Sequence, residues 1–385
     1  MACGVLLASV FLVLEFRSVR SLEENQELAV LDIPTELTRI RILLKRGGQA
    51  PWRIRSKSKL KFKDEDGNRF SSREFTVTTT DGGFRLNGKN TSPSFFMSED
   101  AVFSLNNLSL RGRLHFDHAA RSKRPILHLK LEHYLTQVLP GEMPLSYPDE
   151  ALKAQVIASR SYALSRMMIR RSRKWDLTDG ETSQMFQSLS KNTKKSQSIV
   201  RRTRGIVLQF EGKVLPAYFS ANCGGKTRSN REAFGEALLA PLRGVTCQHC
   251  AWSKDHSWTT KVSVASFRRH ARIGDAPIRN MTVQAGSGSG YTNKIQCRTA
   301  SDSTLVAPKV IRRRFGNRKI KSDWVTGIDL KGGSVTIGGR GFGHGVGLCQ
   351  NGACGLARLG RSAEEILSHY FPNANLARLR EPSNP

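Results

Sequence analysis

The chain has 385 residues, 38% hydrophobic and 24% charged, which is enough apolar material for a packed core and excludes wholesale disorder. Lys and Arg number 61 against 32 Asp and Glu, a net charge of +29. Such an excess points to a polyanionic partner, whether nucleic acid, an acidic glycan or an anionic membrane.

The first stretch, MACGVLLASVFLVLEF, carries an apolar run from Val5 to Leu14. That length suits a signal h-region and is short for a membrane span. Residues 1–22 therefore read as an export signal or N-terminal membrane anchor, with 23–36 as linker, and the expected location is extracytoplasmic. Residues 37–131 are strand-like: Arg39 to Leu44, Phe75 to Thr80 before the turn Asp81-Gly82-Gly83, Ser104 to Phe116, and Ile126 to Leu131. A core then runs over 132–376, ending in a short tail, 377–385.

The core opens with VLPGEMPLSYPDEALKAQ, in which Glu142 sits in a proline- and glycine-rich turn. A helix over 149–171 follows. Ser146 three residues before Asp149 resembles a capping box. Leu152, Val156, Ser159, Ala163 and Met167 recur at helical spacing and predict one buried face. Lys153 and Arg160, seven apart, share another face. Gly205 to Tyr218 reads as a hairpin around Glu211-Gly212, Thr259 to Val283 as a helix and a strand, and Val306 to Phe315 as a short basic helix. Gly338 to Phe371 reads as a glycine loop and two short helices. The order strands, helix, strands, helices fits an α+β fold.

Three constellations could carry chemistry. Glu142 is either a turn residue accepting a helix N–H or an acid whose pKa is raised by Val138, Leu139, Met143 and Leu145. Lys153 would favour its carboxylate or orient a substrate. The stretch GGRGFGHGVGLCQNGACGLARLG, Gly338 to Gly360, lacks the Gly-Lys-Ser/Thr of a phosphate loop and the acidic residue of a dinucleotide fingerprint. Within it, His344 could orient a ligand, move a proton or be structural. Cys223, Cys247 and Cys250, completed by His256 or alternatively His249, would make a closed structural zinc site. A disulfide fits the same residues. The basic runs, such as Arg53/Arg55/Lys57/Lys59/Lys61, alternate as a solvated strand face does. No helix-turn-helix, RNP-like or finger pattern accompanies them, so no specific nucleic-acid partner is expected.

Four blocks in order resemble the stage II sporulation protein D family, which includes the amidase enhancers. They are LEHYLTQVLPGEMPLSYPDEALKAQVIASRSYAL, TRGIVLQFEGKVLPAYFSANCGGKT, IRRRFGNRKIKSDW and GRGFGHGVGLCQNGACGLARLGRSAEEILSHYFP. The resemblance covers about residues 37 to 376. It implies a lytic transglycosylase acting on peptidoglycan glycan strands stripped of stem peptides. Cleavage between N-acetylmuramic acid and N-acetylglucosamine would leave 1,6-anhydro ends. The family's catalytic glutamate falls on Glu142 and its motif lysine on Lys153. One carboxylate suffices because the sugar's own C6 hydroxyl is the nucleophile, unlike the usual carboxylate pair. Substrate contacts are expected from Arg160, Gln184, Ser322, Arg340, His344 and Gln350. Helix 149–171 should pack near the glycine loop, so that Glu142, Lys153, Arg160 and His344 converge on one groove.

The resemblance also makes Cys223, Cys247 and Cys250 look like zinc ligands, with no cofactor required for catalysis. Cys349 departs from the family's usual small polar residue at that position, and Gln184-Met185-Phe186 is a loosened form of its Gln-x-Tyr motif. The partners implied are glycan strands and an N-acetylmuramoyl-L-alanine amidase. The alternative is a non-catalytic wall-binding protein that stimulates such an amidase.

Overall fold

The computed structural model describes residues 28–380, apart from 121–122, 181–182, 192, 287 and the side chains of 35–36. The expected signal or anchor, 1–22, lies outside the described residues. None of the described helices is long and apolar enough to cross a membrane.

The first layer follows from period-two alternation. In the strand Trp52–Asp64, Trp52, Ile54, Leu60 and Phe62 face inward while Arg53, Arg55, Lys61 and Lys63 face solvent. The alternating basic run is thus a solvated strand face, as its spacing predicts. Ten strands join in one barrel-like sheet. Its interior is aromatic, with Phe95 stacked on Phe116 at 4.7 Å and Phe62 edge-on to Phe75 at 5.0 Å. The expected single run 104–116 is two strands, Ala101–Leu105 and Leu108–Asp117. Asn106 turns the chain between them at φ 51°, a left-handed conformation that Asn tolerates.

Eight helices occur among the described residues: α1 Leu131–Glu142, α2 Asp149–Ile169, α3 Lys194–Arg202, α4 Asn230–Phe234, α5 Val264–Ala271, α6 Pro308–Phe315, α7 Gln350–Arg358 and α8 Ala363–Tyr370. The architecture is α+β, as the element order predicts. Helix α2 is the axis of the core. Its small residues Ala151, Ala154, Ala158 and Ala163 let α1, α3, α7, α8 and the strand Ile206–Phe210 all pack against it. Burial therefore extends around most of α2 rather than along one face. The expected Ser146 capping box does not form. Pro148 is the N-cap, and the Asp149 carboxylate is drawn instead to Arg202 and Lys195.

Two features were not expected. Residues assigned to a linker form the strand Ala29–Asp32, parallel to Asn375–Arg380, so the sheet's outer pairing joins the two ends of the described chain. Residues 257–340 also build a lobe with its own core of Trp258, Phe267, Ile295, Ile311, Val325 and Ile337. Short strands with scattered single apolar residues give little sequence signal for a separate core.

Candidate active site

Glu142 is the last residue of α1, not a turn residue. Met143 precedes Pro144, and the residue before a proline is disfavoured in the helical region. Met143 is extended at φ −136° and ψ 143°, so the helix ends at Glu142. Gly141 serves a close approach: a Cβ there would lie 2.0 Å from the Met185 carbonyl oxygen. The chain at 184–186 can therefore lie against the helix end, and the Met185 N–H donates to Glu142 Oε1 at 2.5 Å. Gln350, the first residue of α7, donates to Glu142 Oε2 and to Gln155 Oε1, each at 3.3 Å. Gln155 in turn donates to Ser159 Oγ at 3.0 Å.

Glu142 opens onto a cleft of about 480 Å³, whose walls include Tyr162, Tyr218, Phe219, Phe234 and Phe342. It keeps only partial access to that cleft. Burial raises its pKa from 4.5 to about 7, against the opposing pull of the Met185 and Gln350 hydrogen bonds. Desolvation wins because no cation among the described residues touches the carboxyl and two neutral donors replace water incompletely. Among the described residues lining the cleft, Glu142 is the one carboxylate.

His344 lines the same cleft. Its Nδ1 accepts the Val346 N–H at 3.0 Å, and the ring also bonds the Phe219 backbone. Burial, then Arg228 and Arg312, push its pKa down to about 3. The imidazole is therefore neutral and offers the cleft a ring rather than a proton.

The expected groove of four residues does not form. Glu142 and His344 meet there, with Gln350, but Lys153 and Arg160 point elsewhere. Lys153 Nζ binds Glu150 Oε1 at 2.7 Å, and Glu150 Oε2 accepts the Ala363 N–H at 2.9 Å, bracing the start of α8. Arg160 is fully buried. Its fork grips both oxygens of Glu132 at 2.8 and 2.9 Å, and Nη1 donates to the Ile206 carbonyl at 3.0 Å. Seven-residue spacing put both residues on one face of α2, but neighbouring elements cover that face. Replacing Arg160 with Met should cost about 2 kcal/mol, because the half-buried Glu132 carboxylate loses its cation and the Ile206 carbonyl loses its donor. A fall in the urea midpoint at unchanged slope would register it; a loss below about 1 kcal/mol would show the pair to be dispensable.

Three more residues expected to contact substrate do not line the cleft. Gln184 is buried, accepting from Tyr134 Oη at 2.8 Å and donating to the Ser159 carbonyl at 3.2 Å. It holds the segment whose next amide reaches Glu142. Ser322 is buried and donates to the Arg340 carbonyl at 2.5 Å while accepting from Trp258 Nε1 at 3.2 Å. Arg340 is exposed, its guanidinium 5.8 Å from the Trp324 ring centroid, and it does not line the cleft. Gln155, Tyr162, Tyr218 and Arg312 were not singled out as site residues, although each lies in one of the blocks that carry the family resemblance.

The thiols also regroup. Cys223, Cys247, Cys250 and Cys349 put their sulfurs within 4.8 Å of one another, all buried. His256 stands outside this group with Nδ1 3.5 Å from Cys250 Sγ, and His249 packs against His369 instead. The four described thiols are free of disulfides. Tetrahedral zinc with Zn–S bonds of about 2.3 Å needs sulfurs about 3.8 Å apart. Cys223 and Cys250 are 3.8 Å apart. The donor set fits zinc, with Cys349 in the place expected for His256. A Cβ on Gly352 would lie 2.7 Å from Cys247 Sγ and 1.9 Å from Tyr370 Oη, so α7 needs glycine to approach the cluster.

The family model described as stage II sporulation protein, SpoIID, matches residues 120–210, which hold α1, α2 and Glu142. Stage II sporulation protein D of Bacillus amyloliquefaciens is 30% identical over 274 residues, covering 66% of this chain and 76% of that protein. An uncharacterised protein of Brachyspira hyodysenteriae is 30% identical over 289 residues, covering 73% and 75%. The amidase enhancer of Bacillus subtilis is 26% identical over 289 residues, covering 63% of this chain but 40% of that protein. With two relatives at this identity across three quarters of their length, and with the matched region containing the helix end that carries the buried carboxyl, the chain belongs to the SpoIID family.

Proposed function

We propose that this protein is a lytic transglycosylase of peptidoglycan that acts on glycan strands stripped of stem peptides. The coarser part of that reading, a cell-wall-related role, accords with its SpoIID and amidase-enhancer relatives. The observation that carries the finer part is Glu142, the one carboxyl among the described residues lining an aromatic-walled cleft, with a raised pKa. A group titrating near 7 holds its proton at working pH and takes one back readily, which suits a residue acting as acid and then base. Aromatic faces suit the apolar faces of sugar rings.

Glu142 gives its proton to the bridging oxygen as the bond from the muramic C1 breaks. The C6 hydroxyl oxygen of the same sugar then bonds to C1, and its proton returns to Glu142. No water is consumed, and no second carboxylate is required. The Met185 amide and Gln350 hold the carboxyl through both halves. Neutral His344 stiffens the wall by binding the Val346 and Phe219 backbones.

Cys223, Cys247, Cys250 and Cys349 would hold a structural zinc that supplies no step of the reaction. Its effect would be to fix Cys349, and so the adjoining Gln350. The place of action is outside the cytoplasm, at the envelope where such strands lie. The similarity to an amidase enhancer favours a second reading, in which the protein binds wall glycan and stimulates an amidase.

The test is direct. Purified protein is incubated with peptide-free glycan strands, and 1,6-anhydro-muramic ends are sought by mass spectrometry. Their appearance, lost in Glu142→Gln, supports the transglycosylase. Bound strands with no new ends favour the second reading.

A further inference from the structure

We propose that the pocket between α1, α3 and the strand Leu108–Asp117 is a second ligand site, which takes a phosphorylated polyol or sugar. It has a volume of about 380 Å³, within the range of small-molecule sites. It shares no lining residue with the Glu142 cleft, so the two sites can be occupied independently.

Its rim is cationic. Arg111 from the strand and Arg201 from the last turn of α3 are both exposed there, with Arg204 beside them. Among the described residues, no carboxylate pairs with Arg111 or Arg201. Glu132 is the one carboxylate among the described lining residues, and the fork of Arg160 already holds both its oxygens. His133 brings no negative charge either. Burial, then Arg111 and Lys130, push its pKa down, so the ring stays neutral near pH 7. Two guanidiniums without a counter-charge match a phosphate monoester, with its charge of about −1.5 to −2 near neutral pH, better than a single carboxylate.

The floor asks for something besides an anion. Gln137 is fully buried and lines the pocket, yet its Oε1 has no hydrogen-bond partner among the described residues. Its Nε2 donates to the His133 carbonyl at 3.3 Å. That bond fixes the amide, since turning it over would set two carbonyl oxygens against each other. An unmet buried acceptor costs about 1–3 kcal/mol and calls for a donor. A bare phosphate would bring this oxygen only repulsion. A hydroxyl carried on the phosphorylated molecule supplies the hydrogen while its phosphate meets the rim.

Isothermal calorimetry on the full chain at about 0.15 M salt, where diffuse attraction to the basic surface is screened, provides the test. The probes are glycerol 1-phosphate, inorganic phosphate and glycerol. Glycerol 1-phosphate should bind about five- to tenfold more tightly than inorganic phosphate, and glycerol should not bind measurably. Arg111→Gln and Arg201→Gln should each weaken glycerol 1-phosphate by about 10- to 100-fold. Gln137→Leu should erase the preference over inorganic phosphate and leave phosphate binding in place. Arg269→Gln, an exposed arginine on α5 away from the pocket, should change nothing. Absence of binding by the wild type, equal binding of the two phosphates, or an equal loss in Arg269→Gln would overturn the proposal. Should Gln137→Leu fail to fold, as its melting curve would show, the wild-type preference and the two rim variants still decide.

Discussion

Glu142→Gln should form anhydro ends at least a hundredfold more slowly than the wild type, and yet melt higher at pH 8. The loss follows from removing the proton donor, since general acid–base catalysis typically contributes about 10²- to 10⁴-fold. The gain follows from linkage. Burial raises the Glu142 pKa from 4.5 to about 7. Below the lower value both folded and unfolded chains hold the proton, and the carboxyl costs nothing. Between the two values the unfolded chain releases it while the folded chain retains it, so stability falls as pH rises. Above about pH 7 the full penalty stands. At about 1.4 kcal/mol for each tenfold change in proton affinity, its ceiling is about 3 kcal/mol. Gln cannot ionise, and its carbonyl can still accept the Met185 N–H. The melting difference between variant and wild type should therefore be small at pH 4.5 and widen through pH 8. A difference that stays flat with pH would mean that Glu142 is not the buried, proton-holding group described here. The wild-type kcat/KM for cleavage should fall along a single limb centred near pH 7.

Much of this was legible before folding because it is local. Alternation placed the strand faces, and Glu211 and Gly212 do turn a hairpin, at φ 51° and 73°. Glu142 was singled out by the glycine and prolines around it, although their reasons differ from a turn. Gly141 admits the Met185 carbonyl, and Pro144 ends the helix through the residue before it. What could not be read was which face of a buried helix meets which neighbour. Lys153 and Arg160 share a face of α2, but α8 and the strand Ile206–Phe210 reach that face first. Arg312 belongs to a lobe more than a hundred residues along the chain from Glu142, and nothing in local spacing links the two. Cys349 is the intermediate case: a cysteine where the family has a small polar residue was visible, but its partners at 223, 247 and 250 are set by how α7 docks.

That docking leads to the second large expectation. Protein purified without chelator should carry about one zinc per chain, and Cys349→Ser should lose it. Four buried thiols within 4.8 Å of one another can ionise together only where a cation among them offsets their mutual repulsion. Binding energy at such a site is folding energy. Removing one ligand should lower the melting midpoint by on the order of 10 °C, and a strong chelator should do the same to the wild type. His256→Ala should keep its metal, because the imidazole stands outside the four sulfurs. Cys354→Ser should also keep it, since that thiol is buried apart from the cluster. Metal content by mass spectrometry and melting curves separate these outcomes without reference to activity. Zinc kept in Cys349→Ser but lost in His256→Ala would restore the three-cysteine, one-histidine set. Neither loss, in protein whose thiols prove oxidised, would replace the metal with disulfides. Cys349 is joined to Gln350, and Gln350 touches both Glu142 and Gln155, so a disturbed cluster would also loosen the hold on the acid. Cleavage by Cys349→Ser should therefore fall below that of Cys354→Ser even at temperatures where both remain folded.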